Sequence, residues 1–371
     1  MQLECVETQN FRNIGGKIDC SDGLNIFVGE NGHGKTNWLE AIYLLSTARS
    51  FKTSKLTETI SFNEEWAIVR GRVRQSEGID RELQVAIQNS VKALSINGKK
   101  SSVGEYLGQV HAVVFNSEEL EVVRGTPEAR RRFIDGGIVS LHPPFVQTFS
   151  DYSRVLRHKT ALLQTARDNE YSIEQTIELL RPWNDQLIAL ATRIHKGRIR
   201  FVERMNEFLH RRLFGREELF IRFVSNLEGK GDLSNYEALL EERLMLRTQA
   251  EMVAGRALVG PHRDDLEISF DGRDIRKYGS AGQQRSALLL LLLANIELFN
   301  STRGEYPVFL LDDIDAELDH RRIGQLLEFL ARKTQTFVST SKTSFVEEFG
   351  SSANVLEVEN GSIAKHMKAA I

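Results

Sequence analysis

Apolar residues follow different periods in different parts of the chain, and each period predicts one kind of element. In residues 1–115, short apolar runs predict strands, at 3–6, 24–28, 66–73, 83–87, 93–96 and 110–115. From 143 to about 256, apolar residues recur every three or four positions, which is the spacing of a helix. Strand-like runs then return, at 257–259, 266–270, 308–311, 336–339 and 355–358.

This alternation predicts an α/β domain that is interrupted by an inserted helical arm. We place the N-terminal part of the domain at 1–122, the arm at 123–256 and the C-terminal part at 257–371. Within the arm, two seams with heptad-like spacing predict long antiparallel helices, too short for an extended rod. The first seam is Phe145, Phe149, Tyr152, Leu156, Leu163 and Ala166, and the second is Leu187, Leu190, Ile194, Phe201, Met205 and Phe208.

Composition narrows the classes of protein to consider. The chain has 371 residues and a net charge of −3, so any surface for nucleic acid must be a local patch. Its two cysteines, Cys5 and Cys20, indicate no disulfide framework and fit a reducing cytosol. The most apolar run, 287–296, is broken by Asn295 and is far shorter than the roughly 18 residues of a membrane span. We therefore expect a cytoplasmic protein with no membrane partner.

A glycine-rich loop lies between the strand-like run at 24–28 and a helical pattern that begins at Thr36. Glycines in such a loop let backbone N–H groups turn toward phosphate oxygens, and the helix N-terminus adds the positive end of a dipole. We predict that Lys35 reaches the β- and γ-phosphates as a catalytic cation and that the Thr36 hydroxyl binds Mg²⁺. The loop reads Gly29-Glu30-Asn31-Gly32-His33-Gly34-Lys35-Thr36, the pattern G-x-x-x-x-G-K-T, and we take all eight residues as nucleotide ligands.

Four further residues belong to this prediction. Arg12 and Asn13 lie in a turn before the loop's strand; a surface turn and a contact with the nucleotide base fit them equally well. The apolar run 308–311 ends in Asp312 and Asp313. We assign Asp312 to the Mg²⁺ shell and Asp313 to orienting or deprotonating the attacking water, because a magnesium-held nucleotide needs such acids. Surface acids that merely end a strand are the alternative.

The second helical seam carries a basic flank. Arg193, Lys196, Arg200, Arg204 and Arg211 follow steps of three, four, four and seven, which place them on one side of a helix. A solvated charged face and a contact with the phosphate backbone of DNA are equally compatible with this spacing. Evenly spaced long cations suit backbone tracking better than base reading, since base reading needs specific edge contacts.

A second motif makes the nucleotide prediction more specific. Ser280-Ala281-Gly282-Gln283-Gln284-Arg285 resembles the signature motif of ABC-type ATPases, and Asp312-Asp313 with Ala316-Glu317-Leu318-Asp319 follows in the same order as in that superfamily. The whole chain resembles the head domains of SMC-type chromosome proteins and, most specifically, the RecF family of bacterial recombination and repair proteins. Support for the RecF family also comes from Phe11-Arg12-Asn13, from Arg130-Arg131-Arg132-Phe133-Ile134-Asp135 and from Gly260-Pro261-His262-Arg263-Asp264-Asp265.

The resemblance implies roles that the residues alone do not. It implies that Ser280, Gly282 and Gln283 contact the γ-phosphate of ATP held by a second subunit of a homodimer, with Asp319 at the seam. Thr340 stands where transporter ATPases carry a histidine, and Asp313 where the superfamily has Glu, so slow hydrolysis is implied. The segment 116–120 departs from the family pattern and leaves open which of its side chains meets Mg²⁺ or the water.

The function implied is an ATP-gated clamp for DNA in recombinational repair. ATP joins two subunits, the dimer holds duplex DNA beside a single-strand gap, and weak hydrolysis releases it, with RecR, RecO and RecA as partners. Three alternatives come from other classes: the nucleotide-binding subunit of an ABC-type transporter, a small-molecule kinase that uses the same loop, and a protein in which ATP only stabilises the fold.

Overall fold

The computed structural model describes residues 2–74, 78–89, 91–209, 218–331 and 333–367. The strands within these ranges are β1 (Gln2–Phe11), β2 (Ile14–Asp19), β3 (Leu24–Val28), β4 (Trp66–Arg74), β5 (Asp80–Gln88), β6 (Val91–Ile96), β7 (Lys99–Lys100), β8 (Ala112–Phe115), β9 (Leu219–Val224), β10 (Asp265–Phe270), β11 (Arg273–Asp274), β12 (Val308–Leu311), β13 (Thr336–Thr340), β14 (Asn354–Glu359) and β15 (Ser362–Met367). The helices are α1 (Lys35–Thr47), α2 (Val103–Tyr106), α3 (Glu121–Arg124), α4 (Pro127–Leu141), α5 (Phe145–Asp168), α6 (Ile173–Leu209), α7 (Tyr236–Ala254), α8 (Ile275–Tyr278), α9 (Ala281–Arg303), α10 (Ile314–Glu317), α11 (His320–Leu330) and α12 (Thr343–Phe349).

These strands and helices belong to two compact units. Among the described residues, the first comprises 2–123 and 279–367, and the second comprises 124–209 and 218–278. The second unit contains residues 257–278 in addition to most of the segment 123–256 that we predicted as the arm. In the described part of the chain, no helix has both the length and the apolar character needed to cross a bilayer.

The first unit contains two six-stranded sheets. The antiparallel sheet has the strand order β2-β1-β4-β5-β6-β7, and the asparagine–glycine turn at Asn97 and Gly98 joins β6 to β7 with both residues at positive φ. The other sheet has the order β15-β14-β3-β13-β12-β8 and is parallel except for β15. Parallel strands present their carboxyl ends at one edge, so the loops after β3, β8, β12 and β13 meet there.

Helix α1 belongs to the core of this unit. Trp38 and Leu39 are fully buried in one apolar cluster with Phe27 of β3 and Val69 of β4. The rings of Phe27 and Trp38 stack with centroids 6.4 Å apart. Burial of large side chains such as these gives roughly 1.5–3 kcal/mol each, which fixes α1, and therefore the loop before it, against the sheet.

The second unit packs helices around a three-stranded sheet of order β11-β10-β9. Its apolar cluster includes Leu187 and Ile194 of α6 and Leu240 of α7. Helices α4 and α6 come close where Gly137 faces the ring of Phe201. Buried ion pairs cross the unit, including Arg198 with Asp135 and Asp264, Arg130 with Asp265, and Lys159 with Glu251.

Of the predictions from periodicity in this unit, the strand at 266–270 is confirmed and two others are wrong. Residues 257–259 form no strand, and 266–270 form β10, which pairs with β9 rather than with the sheet of the first unit. Strand β9 itself lies in a segment that we predicted to be helical. Both strands bury alternate apolar residues beneath the helices of their own unit, Leu219 and Ile221 on β9 and Ile268 on β10. A period-2 run identifies a strand, but its partner depends on packing that the pattern does not contain.

Candidate nucleotide site

The glycine-rich loop connects β3 to α1 at the carboxyl edge of the parallel sheet, as the sequence predicts. Gly34 adopts φ of +104°, and a Cβ there would lie 2.8 Å from the Ile14 side chain, so this turn requires glycine. The Nζ of Lys35 donates to the carbonyls of Gly29 and Glu30, each at 2.8 Å. The lysine is therefore curled over the loop whose phosphate it is predicted to bind.

Burial lowers the pKa of Lys35, and the nearby Asp313 and Asp312 act in the opposite direction. The charges of the two acids thus act on the ammonium group and favour its protonated form. The two acids follow β12, which lies two strands from β3 in the sheet. The structure thus brings together residues that stand almost 280 positions apart in the sequence.

Thr36 and Asp312 meet directly. The Thr36 hydroxyl donates to Oδ1 of Asp312 at 2.8 Å, and the Ser339 hydroxyl donates to the same oxygen at 2.7 Å. Ser339 also accepts the backbone N–H of Asp313 at 2.8 Å. A hydroxyl and a carboxylate oxygen at this spacing are hard donors of the type that Mg²⁺ prefers, so the residues predicted for the metal fit it.

Asp313 differs from Asp312 in its surroundings. Its backbone is left-handed, with φ of 48° and ψ of 50°, which turns its side chain away from the strand direction. Burial raises the pKa of Asp313, the charges of Asp312 and Asp315 raise it further, and Lys35 and Lys342 oppose the rise. A carboxyl group with a raised pKa beside a phosphate loop has the character of a general base.

The structure separates the roles of Arg12 and Asn13. Arg12 forms a forked ion pair with the buried Glu40, through Nε at 2.9 Å and Nη2 at 2.8 Å, and its Nη1 donates to the Glu58 carbonyl. All three nitrogens of its guanidinium group therefore have partners within the first unit. Asn13 lies at the loop, where its amide accepts from Asn37 at 2.6 Å and donates to the Gly32 carbonyl at 3.4 Å.

The segment 116–120 follows β8, next to β12 in the sheet. Asn116 is buried, and its side-chain oxygen accepts the backbone N–H of Glu119 at 2.8 Å, so this amide holds its own turn. The charge of Glu118 interacts with the site: burial raises its pKa, Lys52 lowers it, and Glu40 and Asp312 raise it.

The signature residues form the N-terminus of α9. Ser280 is its N-cap and accepts the backbone N–H of Gln283 at 3.2 Å, while the Gln283 side chain accepts the Ser280 N–H at 2.9 Å. This reciprocal capping box positions the first turn, in which Gly282 is exposed. The residues lie on an exposed helix N-terminus, which is a favourable site for an anion.

Two further residues implied by the resemblance have defined positions. Asp319 is the N-cap of α11 and accepts the backbone N–H of Arg322 at 3.0 Å. Thr340 is fully buried, and its hydroxyl donates to the Asp315 carboxylate. This hydrogen bond connects the end of β13 to the segment that follows β12.

The basic flank lies on α6, in the second unit. Arg193, Lys196 and Arg200 are exposed, Arg204 is partly buried, and Arg211 lies outside the described residues. On the opposite side of the helix, Arg198 is buried and donates to both Asp135 oxygens, at 2.8 and 2.9 Å. Helix α6 thus carries a buried arginine with structural contacts on one side and exposed cations on the other.

Sequence reasoning missed several residues of the site. In the sequence, Ser339 is only one member of an apolar run. Its position near the end of a strand was the signal that could have identified it as a site residue. Lys52 donates to Asn37 at 2.9 Å from a loop with no motif of its own. The turn at Gly361 contacts the phosphate loop. Its Asn-Gly pair indicates a hairpin but does not indicate that the hairpin contacts this loop.

Known proteins are similar to this chain over almost its whole length. Residues 2–364 match the family model described as the RecF/RecN/SMC N terminal domain. A protein named DNA replication and repair protein RecF from Halothermothrix orenii is 34% identical over 377 residues, covering 99% of each chain. Its namesake from Staphylococcus epidermidis is 35% identical over 379 residues, covering 98% of this chain and all of the relative.

Solved structures are similar at the level of the fold. One described as the recombination mediator protein RecF-ATPrS in the RecFOR pathway superposes with a TM-score of 0.89 at 30% identity, covering 99% of this chain and 98% of that one. Another, described as RecF-ATP in the same pathway, gives 0.88 at 30% identity, covering 98% and 97%. These comparisons do not favour the transporter alternative.

Proposed function

This chain belongs to the RecF family, and from that premise we propose that it is an ATP-dependent DNA-binding protein of recombinational repair. Its fold is α/β, an ABC-type, SMC-like P-loop head with an inserted arm. The single observation that carries the proposal is the contact between Thr36 and Asp312, because it assembles the phosphate loop and the acid strand into one site. Relatives described as RecF-ATP support ATP as the nucleotide.

Nucleotide binding is assigned to named residues. Backbone N–H groups of Gly29 to Gly34 hold the phosphates, and Lys35 exchanges its two carbonyl partners for phosphate oxygens. Thr36 and Asp312 would hold Mg²⁺, which would supply charge neutralisation at the phosphates. Asp313 accepts a proton from, or orients, the attacking water, and Glu118 adds a second carboxylate on the β8 side.

The dimer is the second part of the proposal. Ser280, Gly282 and Gln283 stand at an exposed helix N-terminus, and in a head-to-tail homodimer they seal the nucleotide held by the other subunit. A ligand that binds only the closed dimer shifts the population toward that dimer. Binding rather than turnover then controls the state of the protein, and weak hydrolysis resets it.

DNA binding is the third part of the proposal. Arg193, Lys196, Arg200 and Arg204 on α6 contact the phosphate backbone, each through a long side chain that releases counterions on binding. Their spacing along one helix suits backbone tracking. The closed dimer grips duplex DNA beside a single-strand gap and, with RecR and RecO, promotes loading of RecA, in the cytoplasm.

The test measures DNA binding at several salt concentrations, with and without MgATP. We expect ATP to strengthen binding and salt to weaken it steeply, with the slope reduced by about one for each α6 cation replaced by Gln. Lys35→Met should abolish the ATP effect. A salt-insensitive affinity, or one that ATP leaves unchanged, overturns the clamp.

Dimerisation is measured in parallel by light scattering. Ser280→Arg should leave ATP binding to the monomer intact and abolish the ATP-dependent dimer, whereas Ser351→Arg, an exposed serine outside the site, should dimerise as wild type does. If ATP only stabilised the fold, Lys35→Met would lower the melting temperature. A small-molecule kinase would keep its activity in Ser280→Arg.

A further inference from the structure

Arg322 touches two elements that the proposed dimer presents to a partner. It lies in the first turn of α11, and its Nε is 3.5 Å from Oδ2 of Asp319, the N-cap of the same helix. Its Nη1 donates to the Ser286 hydroxyl at 2.5 Å and lies 3.5 Å from the Gly282 carbonyl, both on α9. One guanidinium group therefore joins the start of α11 to the first turn of the signature helix.

The partners of Arg322 are themselves fixed. The Ser286 hydroxyl donates to the Gly282 carbonyl at 2.9 Å, so the acceptor that Arg322 contacts is tied to the turn carrying Ser280 and Gln283. Ser286 is buried, and the Arg322 side chain is 32% exposed. The contact lies partly out of water, where a charge-assisted hydrogen bond is stronger than on an open surface.

We propose that Arg322 is a positioning residue that locks the Asp319 loop to the signature helix within one subunit. Ser280 and Asp319 then reach the partner's nucleotide as one preformed surface, which we call the sealing surface. Closing the dimer therefore does not need to order these two residues separately. The inference rests on the proposed ATP-dependent dimer. It goes beyond that proposal because it assigns the shape of the sealing surface to a residue that itself contacts neither nucleotide.

A purely structural role for Arg322 predicts a different result. If the contact only stabilised the fold, its loss would lower the melting temperature and weaken every function in proportion. If it positions the sealing surface, its loss weakens the dimer while the same subunit's phosphate loop still binds ATP. The second outcome follows because a preorganised surface loses less conformational entropy on binding.

The experiment compares four variants by their dimer dissociation constant in Mg²⁺ and a slowly hydrolysed ATP analogue. They are Arg322→Gln, Ser286→Ala, the double variant, and the matched control Arg321→Gln, whose side chain is exposed on the same turn. We expect Arg322→Gln to weaken the dimer about tenfold, while nucleotide affinity of the monomer and melting temperature stay near wild type. Arg321→Gln should dimerise as wild type does.

The double variant tests the contact itself. If Arg322 acts through Ser286, the loss in the double variant should be smaller than the sum of the two single losses, because both changes remove the shared Arg322–Ser286 hydrogen bond. Additive losses, or a dimer of wild-type strength in Arg322→Gln, overturn the inference while leaving the clamp intact. A wild-type protein that stays monomeric with the analogue overturns the proposed dimer itself, and this inference with it.

Discussion

The backbone N–H of Gly361 donates to the carbonyl of His33 at 2.9 Å, so the turn between β14 and β15 is bonded to the phosphate loop. The same turn contacts the β1–β2 turn, since the N–H of Gly15 points at the Gly361 carbonyl at 3.4 Å. A Cβ on Gly361 would lie 1.7 Å from the Asn13 carbonyl oxygen. The phosphate loop, the β14–β15 turn and the β1–β2 turn are thus connected by backbone contacts through Gly361.

Gly361→Ala should therefore impair ATP binding. The residue has φ of +84°, which costs roughly 1–2 kcal/mol for an L-residue, and the clash with Asn13 must in addition displace the turn. Gly98→Ala is the matched control, because Gly98 has φ of +73° with nothing within 4 Å of the added carbon. We expect at least a tenfold loss of ATP affinity for Gly361→Ala only. Equal affinities in the two variants would contradict this support of the loop.

Asp313→Asn should lower ATP hydrolysis by about 10²–10⁴-fold while MgATP binding is kept. Burial and the neighbouring Asp312 and Asp315 raise the pKa of Asp313, so the wild-type rate should increase with pH over a range above the ordinary value near 4. The measurement is a pH series of phosphate release at saturating MgATP. A variant with wild-type turnover would remove Asp313 from the reaction.

Gly137→Ala should destabilise the second unit, although alanine favours helices. The added carbon would lie 2.2 Å from the ring of Phe201, and such overpacking costs about 1–3 kcal/mol. Gly136→Ala, one residue earlier in α4, meets nothing within 4 Å and should stabilise the protein by about 0.5–1 kcal/mol. Thermal unfolding of the pair should give shifts of opposite sign; shifts of the same sign would disprove the close helix approach.

The ion pair of Lys159 with Glu251 is fully buried, with Nζ and Oε2 2.7 Å apart. Lys159→Met should cost about 3–5 kcal/mol, because it leaves a buried carboxylate without its counter-charge. Adding Glu251→Gln should recover most of that loss, since the amide oxygen can still accept the Leu258 N–H that Glu251 accepts now at 2.7 Å. Denaturant unfolding measures both variants, and a double variant as unstable as the single one would be inconsistent with this account.

His195 should make stability depend on pH. Burial, with the charges of Arg198 and Lys196, lowers its pKa to about 4, and its ring stacks on Tyr236 with centroids 3.8 Å apart. Between about pH 4 and 6.5 the unfolded chain binds more protons at this residue than the folded one, so stability falls as pH falls. His195→Phe keeps the stack and should reduce the loss across this window by up to about 3 kcal/mol. His111 and His262 are unchanged in both proteins, so parallel pH curves would refute the role of His195.

The local structure of the candidate nucleotide site could largely be predicted from the sequence, because its parts are local motifs. The loop from Gly29 to Thr36, the acids after β12 and the cap at Ser280 each depend on a few adjacent residues whose backbone chemistry fixes their structure. Such short-range signals can be recognised in a single sequence. The assignment of β10 to its sheet failed for the opposite reason: apolar alternation defines a strand's face and says nothing about which strand lies beside it.

The sequence by itself determined the phosphate loop, the order of its motifs and the existence of strands and helices, since these follow from backbone conformation and from the period of apolar residues. Only the tertiary structure decided that Gly361 supports the loop, that Thr340 is hydrogen-bonded to Asp315 and that Arg322 joins two helices. These contacts connect residues far apart in the chain or on different elements. Their partners are selected by close packing of the whole unit, which no local pattern encodes.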